Sequence, residues 1–166
     1  MRLGKIQSIL TLLLASALLS ACAQLEKSPP SVYSFERSQV FEMNFNDTWT
    51  RAVDWFAQSN IVLDKIERDS GLLTARHRLL TTDRYLDCGE ISVTGTSLRG
   101  ETLDRLGSLN VTVRDRGNQT LVNVNFFGEF DYRAIDDWNP RVPIVASGRC
   151  ESTGELEQSI LEYIGQ

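Results

Sequence analysis

The side chains best suited to covalent or metal chemistry in this 166-residue chain are three cysteines and a single histidine. They are Cys22, Cys88, Cys150 and His77. A cysteine nucleophile usually needs a neighbouring base, and here that base would have to be His77. The alternation around His77 places it on the apolar face of an expected strand, with arginines on the opposite face. This pattern favours a structural histidine over a catalytic one.

Other catalytic templates are absent from the sequence. It contains no H-E-x-x-H zinc motif, no Walker A loop and no glycine-rich dinucleotide fingerprint. Residues 95–99 (GTSLR) lack the closing glycine of a nucleophile elbow. The net charge of −5 argues against a nucleic-acid partner. We therefore expect no enzymatic activity, no metal site and no cofactor.

Residues 1–21 are typical of a secretory signal peptide. Arg2 and Lys5 give a positive start, and Ile9 to Leu19 form an apolar run of 11 residues. Crossing a bilayer takes about 20 apolar residues, so this run is a signal-peptide core and not a stable anchor. The sequence therefore predicts an exported protein.

The signal ends in LSAC at residues 19–22, which resembles the lipobox of bacterial lipoproteins, L-[AS]-[GA]-C. The resemblance implies transfer of diacylglycerol to the Cys22 sulfur, cleavage before Cys22 and acylation of the new amino terminus. Two or more acyl chains hold a protein durably on a membrane. By resemblance to sorted lipoproteins, Ala23 in place of Asp implies the outer membrane of a Gram-negative bacterium, on its periplasmic side. The alternative is an ordinary signal peptide with a coincidental Cys22.

The chain after the signal is expected to comprise a tether and one domain. Residues 22–37 contain Pro29-Pro30 between two serines, a pattern that resists both helix and sheet. We therefore expect a lipidated tether over 22–37. The remaining residues, 38–166, suit a single domain.

Hydrophobic periodicity predicts a strand, a helix and two further strands in the first half of this domain. In order, they cover residues 39–46, 47–58, 61–68 and 72–80. Asn46 or Asp47 can cap the helix. Trp55 lies off its apolar stripe and is expected to pack at the helix margin rather than to bind a partner.

The second half predicts a hairpin and a closing helix, separated by long polar segments. The hairpin strands are residues 109–114 and 120–130, and we expect long loops over 92–107 and 131–149. The S-x-x-E sequence at 152–155 predicts a capping box. An apolar stripe follows it, formed by Leu156, Ile160, Tyr163 and Ile164.

These elements predict an α+β fold in which two helices cover one face of an antiparallel sheet of four to five strands. Their order, β-α-β-β-(β)-β-β-α, resembles the helix-grip domains of the BamC (NlpB) lipoprotein of the outer-membrane β-barrel assembly machinery. The motifs DCG at 87–89 and CESTGELE at 150–157 also resemble small uncharacterised bacterial lipoproteins with a DCG…CxSTGxLE pattern. The resemblance implies an accessory role in an envelope assembly.

With Cys22 committed to lipid, Cys88 and Cys150 remain as a pair in an oxidising compartment, where a disulfide is the default. The bridge would close a loop of roughly 60 residues and stabilise the fold by about 4 kcal/mol. The alternative is a reactive Cys150 thiol with a lowered pKa, since it precedes a helix.

The expected 131–143 loop is the candidate partner-binding segment. It brings together the residue types that dominate binding hot spots, namely Tyr132, Arg133, Trp138 and Arg141. In the alternative interpretation, Trp138 and Ile135 fold back as a lid over the sheet.

Two classes of function follow from these observations. The first is a non-enzymatic envelope lipoprotein that binds a protein partner through its loops or sheet edge. The second is a lipoprotein that binds a small apolar ligand between the sheet and the C-terminal helix, behind Leu156 and Ile160. A filled core with an exposed Trp138 would favour the first class, and a large apolar cavity would favour the second.

Overall fold

The computed structural model describes residues 24–79 and 84–166, and the side-chain environments of 24–76 and 84–166. The signal peptide and Cys22 lie outside the described residues, as does the side chain of His77. None of the helices in the described part is both long and apolar enough to cross a membrane.

Nine strands and two helices make up the described residues. In chain order they are β1 (Gln24–Lys27), β2 (Ser38–Phe41), α1 (Phe45–Ser59), β3 (Leu63–Glu67), β4 (Leu72–Leu79), β5 (Leu86–Asp87), β6 (Ile91–Thr94), β7 (Leu98–Asp115), β8 (Thr120–Asp136), β9 (Pro143–Ser152) and α2 (Glu155–Gly165).

Seven strands form one antiparallel sheet. The order is β3-β4-β7-β8-β9-β5, and β2 pairs with the first part of β8. Strands β1 and β6 form a second, two-stranded sheet. Helix α1 packs on α2 and β7, and α2 packs on β8. The core between the helices and the sheet is built from apolar residues such as Phe56, Val111, Val124 and Ile160. The predicted α+β class is confirmed.

The expected loops over 92–107 and 131–149 are largely strands, which raises the strand number above the predicted four to five. Only short turns remain, at 95–97 and 137–142. The inward positions of β8 explain the error, because they mix aromatic and small side chains: Gly128, Phe130, Tyr132 and Ala134. Because Gly128 and Ala134 are weakly hydrophobic, the alternation of apolar and polar residues that marks a strand is weak in this segment.

Helix α1 starts earlier than predicted. Asn44, and not Asn46 or Asp47, is its N-cap, and the Asn44 side chain accepts a hydrogen bond from the Asp47 N–H at 3.0 Å. The helix ends at Ser59, and its C-cap, Asn60, has a φ of 58° in the left-handed region. Trp55 is buried and meets Phe56 edge to face at 5.1 Å, so it packs in the core.

The expected tether is part of the folded body from Gln24 onward. Gln24–Lys27 pairs with β6 in the register Gln24↔Thr94 to Lys27↔Ile91. The Ser28 N–H donates to the Glu90 carbonyl at 2.9 Å. Pro29 and Pro30 end this pairing because they lack an N–H, but they do not release the chain. Residues 24–37 are called the strap below.

Candidate contact surface and its attachment

Cys88 and Cys150 join the segment after β5 to strand β9. Their Sγ atoms lie 1.99 Å apart, and both residues are buried. The structure therefore brings to bonding distance the pair that the sequence predicts. This link places the two motifs, 87–89 and 150–157, side by side.

Asp87 holds the strap on the domain. Its Oδ2 atom accepts hydrogen bonds from the Ser31 N–H at 2.9 Å and from the Tyr33 hydroxyl at 3.0 Å. Its Oδ1 atom accepts from the Gly89 N–H at 2.8 Å. Partial burial by itself raises the pKa of Asp87, but these donors outweigh it and hold the pKa below its usual value.

Two glycines in the motifs make room for the strap. Gly89 and Gly154 have φ angles of +72° and +90°, which other residues rarely adopt. A Cβ on Gly89 would lie 2.1 Å from the Ser28 carbonyl oxygen, and one on Gly154 would lie 2.5 Å from the Phe35 ring. The glycines of both motifs thus have a structural explanation.

The predicted capping box is wrong. The residue before α2 is Gly154, which makes no side-chain cap. The Ser152 hydroxyl instead donates to Glu157 Oε2 at 2.7 Å and accepts from the Gly154 N–H at 3.1 Å. The Thr153 hydroxyl donates to the Arg84 carbonyl at 2.9 Å. The S-x-x-E residues therefore tie α2 to its surroundings without forming a reciprocal cap.

Glu157 is a buried carboxylate that sequence reasoning missed. It is fully buried, and its Oε1 atom accepts the Phe126 N–H at 3.2 Å. Burial raises its pKa, against the lowering effect of the Ser152 and Phe126 donors and of the Arg37 charge. A signal existed in the sequence, because Glu157 lies three and four residues before the apolar Ile160 and Leu161.

The four predicted partner-binding residues do not form one cluster. Tyr132 is buried on the inner face of β8, on the same side as the core. Burial raises the pKa of its hydroxyl, and a hydrogen bond to Glu101 raises it further. Arg133 points to the opposite, outer face. Trp138 and Arg141 lie in the turn between β8 and β9. Tyr132 is therefore not available for contact, and the other three occupy two separate places.

The turn over 137–142, called the hairpin tip below, exposes Trp138. This side chain is 84% exposed and does not fold back over the sheet, so the lid interpretation is wrong for Trp138. The tip is nonetheless held in shape, because Asp136 Oδ1 accepts the Trp138 N–H at 2.8 Å and also bonds to the Thr96 hydroxyl.

No helix of the described part of the chain covers the outer face of the β8–β9 hairpin. Arg133 and Val145 are cross-strand partners there, and Val145 is 57% exposed. They border a surface concavity of about 700 Å³. The other outer-face residues around it are Thr102, Asp104, Asp131 and Ser147.

Strand β9 also has an open edge. It pairs with β8 over 143–150, and on its other side the described residues pair only with Glu151 and Ser152, through β5. The N–H groups of Phe126 and Val124 point away from β7, so the even-numbered residues of β8 form their hydrogen bonds on the β9 side. In the observed register these residues lie opposite even-numbered residues of β9, as Gly128 lies opposite Cys150. The even-numbered residues of β9 therefore hydrogen-bond to β8. Val145 therefore directs its N–H and C=O to the open edge. Lys27 Nζ reaches the same edge and donates to the Ser147 carbonyl at 3.1 Å.

The described residues contain no group of three or more His, Cys, Asp or Glu side chains placed to hold a metal ion. No family model matches the chain, and no curated protein matches it.

Proposed function

We propose that this chain is a lipid-anchored protein of the bacterial outer membrane, on its periplasmic side, that acts by contact and not by catalysis. It serves as an accessory module that binds an envelope protein through the β8–β9 hairpin. The lipid is attached at Cys22, as the LSAC motif implies.

The observation that carries the contact role is the open edge of β9. An unpaired strand edge is a ready template for an added strand, and proteins that do not use such an edge shorten it or place charges on it. The opposite edge of the sheet follows that rule, because β3 has only five residues and carries Asp64, Lys65 and Glu67. The β9 edge from Pro143 to Ser147 (PIVAS) carries no charge of its own, and the Lys27 ammonium meets it at the Ser147 carbonyl, two residues beyond Val145.

The side chains around this edge suit a protein ligand. Val145 offers an apolar contact beside the edge, and Arg133 lies directly across from it on β8. A partner strand would gain backbone hydrogen bonds from Val145 and side-chain contacts from this outer face. Tyr132 contributes to the core and has no part in the proposed contact.

A small apolar ligand between the sheet and α2 gains no support from the structure. Leu156 and Ile160, behind which it would bind, are buried members of the hydrophobic core. Together with the exposed Trp138, this arrangement supports the contact class.

Replacing Val145 with proline tests the proposal. Proline removes the N–H that points to the open edge, and edge strands tolerate proline because no ladder hydrogen bond is lost. We expect Val145→Pro to abolish partner binding while the thermal midpoint stays near that of the wild type. Val145→Ala is the matched control, because it removes the side chain and keeps the N–H; it should retain most of the binding.

Binding is measured in living cells by cross-linking from a photoreactive residue at Ser147, with a photoreactive residue at exposed Val62, near the far edge of the sheet, as the background. We expect a discrete adduct from Ser147 that Val145→Pro removes. An equal adduct pattern from Val62, or an adduct that Val145→Pro leaves unchanged, would contradict the proposed edge contact.

A further inference from the structure

The position of the lipid relative to the fold is set by the start of β1. Cys22 precedes Gln24 by two residues, which span at most about 7 Å. Gln24 is paired with Thr94, the last residue of β6. Any lipid on Cys22 therefore attaches close to the end of β6.

The same end of the fold carries the hairpin tip. The turn that follows β6 contacts the tip directly, because the Ser97 carbonyl accepts the Asp137 N–H at 3.0 Å. The Thr96 hydroxyl bonds to Asp136. Hydrogen bonds therefore connect the strand next to the lipid attachment point with the residues that present Trp138.

The strap leaves the domain little freedom to turn away from its anchor. Lys27 is the last paired residue of β1, and its Nζ lies 5.0 Å from the centre of the Phe130 ring. Ser31 and Tyr33 are bonded to Asp87 further along. Because Gln24 is already paired, only Ala23 lies between the lipid attachment point at Cys22 and the paired strand.

The chemistry of the hairpin tip suits the interface between headgroups and acyl chains. Tryptophan is enriched at that depth because its ring is apolar and its N–H is polar. Val142 adds a second exposed apolar side chain, and Arg141 adds a positive charge suited to anionic lipid. Asp137 is paired with Arg99 at 3.5 Å, which offsets its repulsion from such a surface.

We propose that the hairpin tip, residues 137–142, inserts Trp138 into the headgroup region of the membrane that holds the Cys22 lipid. The inference rests on the proposed anchoring at Cys22, and it gives the tip a lipid partner distinct from the protein partner of the β9 edge. The anchor and the tip then form two attachment points that fix the orientation of the domain on the bilayer.

Fluorescence quenching of the mature lipidated protein, which begins at Cys22, tests this inference. The protein is reconstituted into vesicles of phosphatidylethanolamine and phosphatidylglycerol that contain brominated phosphatidylcholine. Trp49 and Trp55 are buried in the protein core, so quenching by brominated lipid reports on Trp138. We expect strong quenching in the wild type and its loss in Trp138→Phe.

A relocated tryptophan provides the matched control. Asn118 is exposed in the β7–β8 turn, at the opposite end of β8 and about 50 Å along the strand from the tip. In the double variant Trp138→Phe, Asn118→Trp, we expect brominated lipid to leave the fluorescence unchanged while aqueous iodide quenches it.

The possible failures can be told apart. Protein that floats with the vesicles but shows iodide quenching of Trp138 and no bromine quenching would overturn the membrane contact alone. Protein that does not float with the vesicles would overturn the anchoring and the membrane contact together.

Discussion

Glu157 on α2 accepts a hydrogen bond from the Phe126 N–H of β8 at a point where none of the described strands pairs with β8 on that side. Along β8, the pairing with β2 ends at Asn123, and the pairing with β9 begins at Gly128. The Arg37 carbonyl accepts the Val124 N–H at 2.8 Å in the same interval. The Glu157 side chain and the Arg37 carbonyl of the strap thus accept the two β8 N–H groups that no neighbouring strand of the described residues accepts in this interval.

This arrangement predicts a pH dependence of stability. Because burial raises the folded-state pKa of Glu157 above its ordinary value of 4.5, the folded state binds this proton more tightly than the unfolded state. The stabilising contribution is fully present below 4.5 and declines as the pH rises through the raised value. We expect Glu157→Gln to remove this decline, as measured by denaturant unfolding across the pH range.

Glu157→Ala is the contrasting variant. It leaves the buried Phe126 N–H without its acceptor, so we expect a loss of about 2 kcal/mol or more. If Glu157→Gln and wild type showed parallel stability profiles over pH, the raised pKa of Glu157 would be contradicted.

The Cys88–Cys150 pair should stabilise the exported protein. The two residues are 62 positions apart, for which the entropy of loop closure gives about 4 kcal/mol. We expect reductant to lower the thermal midpoint of the wild type and to leave that of the double variant Cys88→Ser, Cys150→Ser unchanged. Labelling of both thiols in native protein taken from the envelope would contradict this prediction.

The free energy of unfolding distinguishes an exposed contact tryptophan, Trp138, from a core tryptophan, Trp55. Trp138 is exposed and Trp55 is buried against Phe56. We expect Trp138→Ala to change the free energy of unfolding by less than about 0.5 kcal/mol, and Trp55→Ala to cost about 3 kcal/mol or more. A comparable loss in both variants would restore the lid interpretation of Trp138.

Asp87 should control how firmly the strap is held. Asp87→Ala removes the acceptor of the Ser31 N–H and the Tyr33 hydroxyl. Hydrogen bonds to a charged group are worth about 1.5–3 kcal/mol, so we expect trypsin to cleave after Lys27 about tenfold faster or more. Tyr33→Phe removes one of the two bonds and should give a smaller increase. Equal cleavage rates in Asp87→Ala and wild type would argue against this role.

The sequence predicted the elements whose apolar residues repeat with a clear period, namely α1, α2 and the β7–β8 hairpin. It missed the full length of β7 to β9, because inward Gly128 and Ala134 are too small to mark a strand. It also missed the strap, since Pro29-Pro30 indicates an irregular segment but does not reveal that Asp87 and Gly89 receive it. The placement of Tyr132 and Arg133 on opposite faces follows from strand alternation, which is visible only once residues 131–136 are known to be a strand.

Anchoring at Cys22 underlies both the proposed function and the membrane contact of Trp138, and the mass of the mature amino-terminal peptide tests it most directly. We expect the peptide isolated from bacterial outer membranes to begin at Cys22 and to carry a thioether-linked diacylglycerol and an amide-linked acyl chain. We also expect Cys22→Ser to lose both the modification and the membrane fraction. A mature chain that begins at another residue, or an unmodified Cys22, would contradict the account.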